Sequence, residues 1–231
     1  QSKQAQAAID TALSLTPKDP SLWHTNAIIA LQQQQHEKGE ERLLKAFSID
    51  STFQPALHSL GQLYYQQQRF SKAQQQFERL TKLAPQDDNA CFYLALISLK
   101  LGNTKQAKAH LEHTLAINSN HAKALGQLGQ LLLEESKPKQ AALHFTLRLN
   151  LEPHDAETWH SLGQAELQLG KINEAIDSFK NCLKDNEQHS QANQDLANAY
   201  VKTANFQSAL THYFRQLNIA PNPESYYNVG V

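Results

Sequence analysis

Small residues recur in this chain every 34 positions: Ala5, Gly39, Ala73, Ala107, Ala141, Ala175 and Ala209. Four residues after each comes a large apolar one: Ile9, Leu43, Phe77, Leu111, Phe145, Phe179 and Tyr213. A second small series, Ala27, Gly61, Ala95, Gly129, Gly163 and Ala197, keeps the same step. It is preceded by Asn26, Leu60, Leu94, Leu128, Leu162 and Leu196. Pro17, Pro85, Pro153 and Pro221 fall 68 apart, with Ser51, Ser119 and Glu187 at the intervening places. No insertion breaks the register. A fixed period of this length is the mark of a repeat array, whose units each bury only part of their apolar surface and must stack on their neighbours.

Each period holds two helical patterns. In 156–189, Trp159, Leu162, Gly163 and Leu167 share one face of a first helix, and Gly170 supplies a C-terminal stop. Ile172, Ala175, Ile176, Phe179 and Leu183 then form the apolar stripe of a second helix at i, i+3, i+4, i+7 spacing. Pro138 stands at the start of another second helix, where its missing N–H leaves no bond unmade. Small residues let paired helices approach closely, and large ones fill the space between one pair and the next.

Segments such as PALHSLGQLYYQQQRFSKAQQQFERLTKLAP and AETWHSLGQAELQLGKINEAIDSFKNCLKDN resemble the tetratricopeptide repeat, with its W-x-x-L-G-x-x-Y, A-x-x-x-F and P pattern. The resemblance covers essentially the whole chain. It implies an all-α solenoid of antiparallel helix pairs forming a right-handed superhelix. The single solenoid 1–231 divides into six full units: 20–53, 54–87, 88–121, 122–155, 156–189 and 190–223. Residues 1–19 read as the second helix of an earlier unit, and 224–231 as the start of a later first helix. With both termini inside helical patterns, the chain reads as a fragment of a longer one. Departures from the pattern are local: Asn26 replaces a Leu, Glu166 an aromatic, and Arg148 and Gln216 stand where Ala is usual.

Composition narrows the function. The 21 basic and 22 acidic residues nearly cancel, and no Lys/Arg run is present, so a nucleic-acid partner is not expected. No stretch approaches the roughly 20 apolar residues of a membrane span. No signal peptide is recognisable, which in a fragment says little about the compartment; that stays open, with the cytoplasm the one favoured. The 27 glutamines, clustered at 32–35, 66–68 and 74–76, lie at helix ends and starts and read as helix formers rather than a low-complexity tract.

The 11 histidines and two cysteines form no metal-ligand spacing: His110 with His113, and His154 with His160, each lack a third ligand. No phosphate-binding glycine loop and no nucleophile elbow occurs. Cys91 and Cys182 read as core residues. Neither a cofactor, a metal nor a catalytic residue is expected in this segment.

The family resemblance places the fifth, ninth and twelfth positions of each unit on a ligand-binding groove lined by the first helices. The fifth positions are His24, His58, Phe92, Gly126, His160 and Gln194; the ninth are Ile28, Gln62, Leu96, Gln130, Gln164 and Asn198. His58 with Gln62, and His160 with Gln164, are i, i+4 neighbours, so a ladder of imidazoles and amides is expected. These groups both donate and accept hydrogen bonds, as a peptide backbone requires. Tyr65 and Phe92 are the expected apolar anchors. The stripe also carries Lys100, Lys123 and Lys202 against Glu134, Glu157 and Asp195, which points to a protein or peptide ligand of low net charge. A carboxylate clamp of the chaperone-binding type is not expected, since Lys123 alone matches its slot. Two roles fit: a binding scaffold or adaptor, or the docking arm of a larger enzyme (a glycosyl-, sulfo- or methyltransferase, or a hydroxylase).

Overall fold

The computed structural model describes residues 2–221, 226, 227, 229 and 230, with side chains from Gln6 onward. Among them run thirteen helices and no strand. Residues 1–117 and 118–231 form two compact units. The first holds α1 (Ser2–Leu15) and the pairs α2 (Pro20–Gln32) with α3 (His36–Ile49), α4 (Gln54–Gln66) with α5 (Phe70–Leu83), and α6 (Asp88–Lys100) with α7 (Thr104–Ile117). The second holds α8 (Ala122–Glu134) with α9 (Pro138–Leu151), α10 (Ala156–Gln168) with α11 (Ile172–Asp185), and α12 (Ser190–Lys202) with α13 (Phe206–Ile219). Each pair is one 34-residue period. Within a unit, a second helix also packs on the first helix of the next pair: α1 on α2, α3 on α4, α5 on α6, α9 on α10 and α11 on α12. Tyr226, Tyr227 and Val229 are helical, at the place expected for a later first helix. The expectation that the terminal residues are helical concerns Gln1 and Val231, which lie outside the described residues.

Local chemistry sets the helix starts. Pro20, Pro55 and Pro138 occupy first-turn positions. Asp19, Asp87 and Asp155, each two residues after a proline of the 68-residue series, accept the N–H groups of Ser21, Ala90 and Thr158 at 2.8, 2.9 and 3.2 Å. At the alternate places His121 and His189 do the same through Nδ1, each at 3.1 Å. Trp23 and Trp159 donate to the carbonyls of Pro17 and Pro153, 2.9 Å each, and so fix the loops ahead of α2 and α10.

All six first helices end in the same elbow. The residue at position fifteen is left-handed each time: Gln34, Gln68, Gly102, Ser136, Gly170 and Ala204, with φ of 60, 59, 76, 56, 74 and 57°. Its N–H bonds back to position twelve, and the N–H of position sixteen reaches position eleven at 2.8–2.9 Å, for example Gln35 to Ala30 and Asn205 to Tyr200. This double return bond satisfies carbonyls that the helix end leaves open. A side chain there crowds the following carbonyl, at a cost of about 1–2 kcal/mol, against about 0.5–1 kcal/mol for the extra freedom that glycine loses on folding. Ala204→Gly is therefore expected to stabilise the chain by roughly 0.5–1 kcal/mol. Urea denaturation checks it, and a lower midpoint would mean that the freedom lost by glycine outweighs the crowding relieved at the elbow.

The core is laid down repeat by repeat. The alanines at 73, 107, 141, 175 and 209 are buried, as are the large residues four positions on. Position eight and position twenty-four are matched in size. Where the latter is Phe77, Phe145 or Phe179, the former is Gly61, Gly129 or Gly163, and a Cβ there would fall 2.5–2.7 Å from the ring. Where it is Leu43 or Leu111, alanine stands opposite, at 27 and 95; the match fails once, at Tyr213 with Ala197.

Of the departures from the pattern, Asn26, Gln216 and Arg148 each find a polar partner, as buried polar groups generally do. Asn26 accepts from Gln6 at 3.0 Å, and its carbonyl accepts from Arg42. Gln216 donates to the Ala220 carbonyl at 3.1 Å. Arg148 lies across Gly126, where any Cβ would meet its guanidinium, and pairs with Asp155 at 2.5 Å.

Candidate functional site: the first-helix face

Along each first helix the residues at positions two, six, nine and thirteen lie on one side, by the i, i+3, i+4 rule. In α2, α4 and α6 this side carries Ser21, Thr25, Ile28 and Gln32, then Pro55, Ser59, Gln62 and Gln66, then Asn89, Tyr93, Leu96 and Lys100. All are at least partly exposed, and only Lys100 is charged. A cavity of about 270 Å3 opens here between neighbouring repeats. Leu31, Leu63 and Ile28 give it apolar walls, and Gln32, Gln62, Gln66 and Ser59 line it with polar groups.

Several of the expected ladder residues are tied to the next repeat by a recurring clip. Position five of one repeat meets position six of the next. His24 Nε2 is 2.9 Å from Ser59 Oγ, His58 meets the Tyr93 ring edge-on with centroids 6.0 Å apart, and His160 Nε2 is 2.9 Å from Asp195 Oδ2. Position nine joins the same clip: Gln62 donates to Tyr93 Oη at 3.1 Å and Gln164 to Asp195 Oδ2 at 3.3 Å. Burial pushes the His24 imidazole below its ordinary pKa and so favours the neutral ring.

The structure therefore divides the expected site residues. Gln62 and Tyr65 stay half-exposed on the face of the first unit, beside His58, whose ring also packs edge-on against Phe77 at 5.8 Å. Tyr65 touches Phe70 and Tyr93, with ring centroids 5.8 and 5.7 Å apart. Phe92 is only 6% exposed and belongs to the core. In the second unit His160 is buried and tilted against His189, with centroids 4.7 Å apart. Asn198 accepts from Tyr213 Oη at 2.5 Å, and Gln130 is exposed and donates to Glu134 at 3.0 Å. An amide bonded once keeps a second N–H and a carbonyl lone pair for a ligand.

Position six is the residue class that sequence reasoning passed over. Tyr93 stacks on Phe77, 4.7 Å between centroids and 3° between planes, and gathers His58, Gln62 and Tyr65 around it. The signal was available, because position six is i, i+3 to position nine.

Both thiols are buried. Cys182 is pushed up to about 12 by burial and the carboxylates of Glu157, Asp185 and Asp155, and Cys91 is raised in the same sense, so neither is an activated nucleophile. Among the described residues no three His, Cys, Asp or Glu side chains are placed to hold a metal ion. No described helix is long and apolar enough to cross a membrane.

Stacked helix–elbow–helix units of constant length, with one side of the first helices open, define a helical-repeat protein. Residues 127–190 and 166–229 match models of the tetratricopeptide repeat, and residues 41–114 match that of the anaphase-promoting complex, cyclosome, subunit 3. The chain belongs to the tetratricopeptide repeat family. The type IV pilus assembly protein PilF of Pseudomonas aeruginosa is 25% identical over 132 residues. That alignment covers 56% of this chain and 52% of PilF, so the chain spans about half of that relative. The C-terminal part of a TPR repeat-containing protein from Cytophaga hutchinsonii has the same fold, with a TM-score of 0.78 at 15% identity, covering 100% of this chain and 95% of that one. So has YrrB, described as a TPR protein with an unusual peptide-binding site, with a TM-score of 0.68 at 20% identity over 81% of this chain and 97% of YrrB.

Proposed function

We propose that this chain is a protein-binding module that holds an extended peptide segment of low net charge on its first-helix face and performs no catalysis within these residues. The observation that carries the reading is the face of α2, α4 and α6, where a single lysine stands among amides, hydroxyls and the Tyr93 cluster around a cavity with apolar walls and a polar rim. Apolar walls can take a side chain, while the surrounding glutamines can meet the backbone on either side of it. Amides and hydroxyls serve donors and acceptors alike. Each such bond contributes about 0.5–1.5 kcal/mol net, so several act together. The peptide-binding described for YrrB is compatible with this use of the fold. The same role holds if these repeats are the docking arm of a larger enzyme.

Panning a random peptide library against the whole chain is expected to enrich sequences of low net charge, whose affinity changes little between low and moderate salt. Changing Gln62 and Gln66 together to alanine should weaken the enriched peptide about tenfold, as two lost hydrogen bonds imply, and leave the melting temperature nearly unchanged. Gln130 and Gln164 changed together report in the same way on the second unit, with Asn198 kept to hold the buried Tyr213 hydroxyl. Undiminished binding by both variants, or binding that vanishes on adding salt, would refute the assignment.

A further inference from the structure

Position eleven of the repeat carries an aromatic ring twice in this chain, as Tyr64 and Tyr200. Tyr64 is 4% exposed. It lies beneath the Arg69 guanidinium, 4.4 Å from the ring centre, and donates its hydroxyl to Glu40 Oε1 at 3.0 Å. Glu40 belongs to α3, the second helix of the preceding repeat. A ring on the first helix and a carboxylate on the helix before it thus close the space between two repeats.

Between α9 and α10 the same two places hold Ala142 and Glu166. The ring is gone, the carboxylate has moved to the other wall, and a groove of about 680 Å3 opens. Ala142, Leu143, Leu162 and Leu169 form its apolar lining, with Leu143 59% exposed. Glu166 lies half-buried on its wall and accepts one hydrogen bond, from Ser178 Oγ at 2.7 Å. Burial raises its carboxyl above the ordinary range, the sign of a carboxylate short of solvent and donors. Lys139 and Lys171 also line the groove, and Lys171 is held only loosely by Glu174 at 3.9 Å, both half-exposed.

We propose that this groove is a second docking site, which receives a tyrosine side chain of a partner protein in the space that Tyr64 fills between α3 and α4. The apolar lining takes the ring, and the carboxylate of Glu166 accepts a hydrogen bond from the phenol, reproducing from outside the bond that Tyr64 makes to Glu40. Phenylalanine would fill the space and leave Glu166 with Ser178 as its one donor while taking away solvent, which is the costlier outcome for a half-buried carboxylate. The two lysines select acidic residues on either side of the tyrosine. None of these residues belongs to the face of α2, α4 and α6, so the site stands independently of the function proposed above.

The test is a titration of the isotope-labelled chain with acetyl-Glu-Tyr-Glu-amide, followed by amide chemical shifts. Shifts are expected at Ala142, Leu143, Glu166 and Leu169. The phenylalanine analogue should bind about tenfold more weakly, as loss of a hydrogen bond to a charged acceptor implies, and acetyl-Lys-Tyr-Lys-amide should bind more weakly too. Glu166→Tyr, which restores the chain's own ring, should abolish binding while the thermal melt shows a folded protein. Glu166→Gln keeps the shape and an acceptor and should retain weakened binding. Equal affinity for the tyrosine and phenylalanine peptides, undiminished binding to the folded Glu166→Tyr chain, or shifts confined to the Gln62 and Tyr93 surface would overturn the proposal.

Discussion

Gly163→Ala is expected to destabilise this chain by up to about 2 kcal/mol, although alanine is the better helix former. Helix propensity alone favours alanine by about 1 kcal/mol. Against that gain, the new methyl would lie 2.5 Å from Cε1 of Phe179, a ring with no solvent exposure. The ring has nowhere to retreat: His160 closes on it with centroids 5.7 Å apart, and Ala175 and Leu196 pack in the same cluster. Overpacking a filled interior costs about 1–3 kcal/mol, which exceeds the propensity gain. Size matching predicts the rescue. Adding Phe179→Leu recreates the alanine–leucine pair found at Ala27 with Leu43 and Ala95 with Leu111, so the double variant should be more stable than the sum of its parts by about 0.5–3 kcal/mol. Urea denaturation of the four proteins gives the coupling directly, and purely additive effects would show that ring and glycine do not constrain each other.

Phe77→Ala is expected to cost about 3–5 kcal/mol, because a fully buried aromatic is removed. Phe77 has no exposed surface and lies flat against Tyr93 while its edge meets His58. Its loss reaches the binding face as well as the core: Tyr93 loses its platform, and the amide of Gln62 loses a fixed partner. Phe77→Leu should cost less and remain folded. In that variant the Tyr93 hydroxyl and Gln62 amide should show altered chemical shifts, with peptide affinity reduced at a temperature where the chain is intact. A loss below about 1 kcal/mol for the alanine variant would place the ring outside the core.

The fold was legible because every element repeats the same length, so one misread residue could not shift the register. The elbow at Gly170 and the helix start at Pro138 stand where the pattern puts them. The pairing of Gly163 with Phe179 was present as two separate series, but nothing in a linear period says that residues sixteen apart touch; the crossing of two helices does. The first-helix face was read less finely for a similar reason. Whether position five meets a ligand or the next repeat depends on how far one first helix is offset from its neighbour. That offset turns His24, His58 and His160 toward Ser59, Tyr93 and Asp195. Glu166 stood out as the wrong residue type, yet a groove is a property of two walls, and Ala142 on the other wall fits the pattern.

The six elbows bend alike while carrying Gln, Gln, Gly, Ser, Gly and Ala. Their shape is written in main-chain bonds common to any residue, from position sixteen to eleven and from fifteen to twelve. Side-chain identity at the elbow is therefore a poor witness to geometry, and its variety records tolerance rather than looseness. Two repeats that look unrelated at this spot can be spliced there without altering the turn, which makes the elbow the natural seam for exchanging whole helices between repeats.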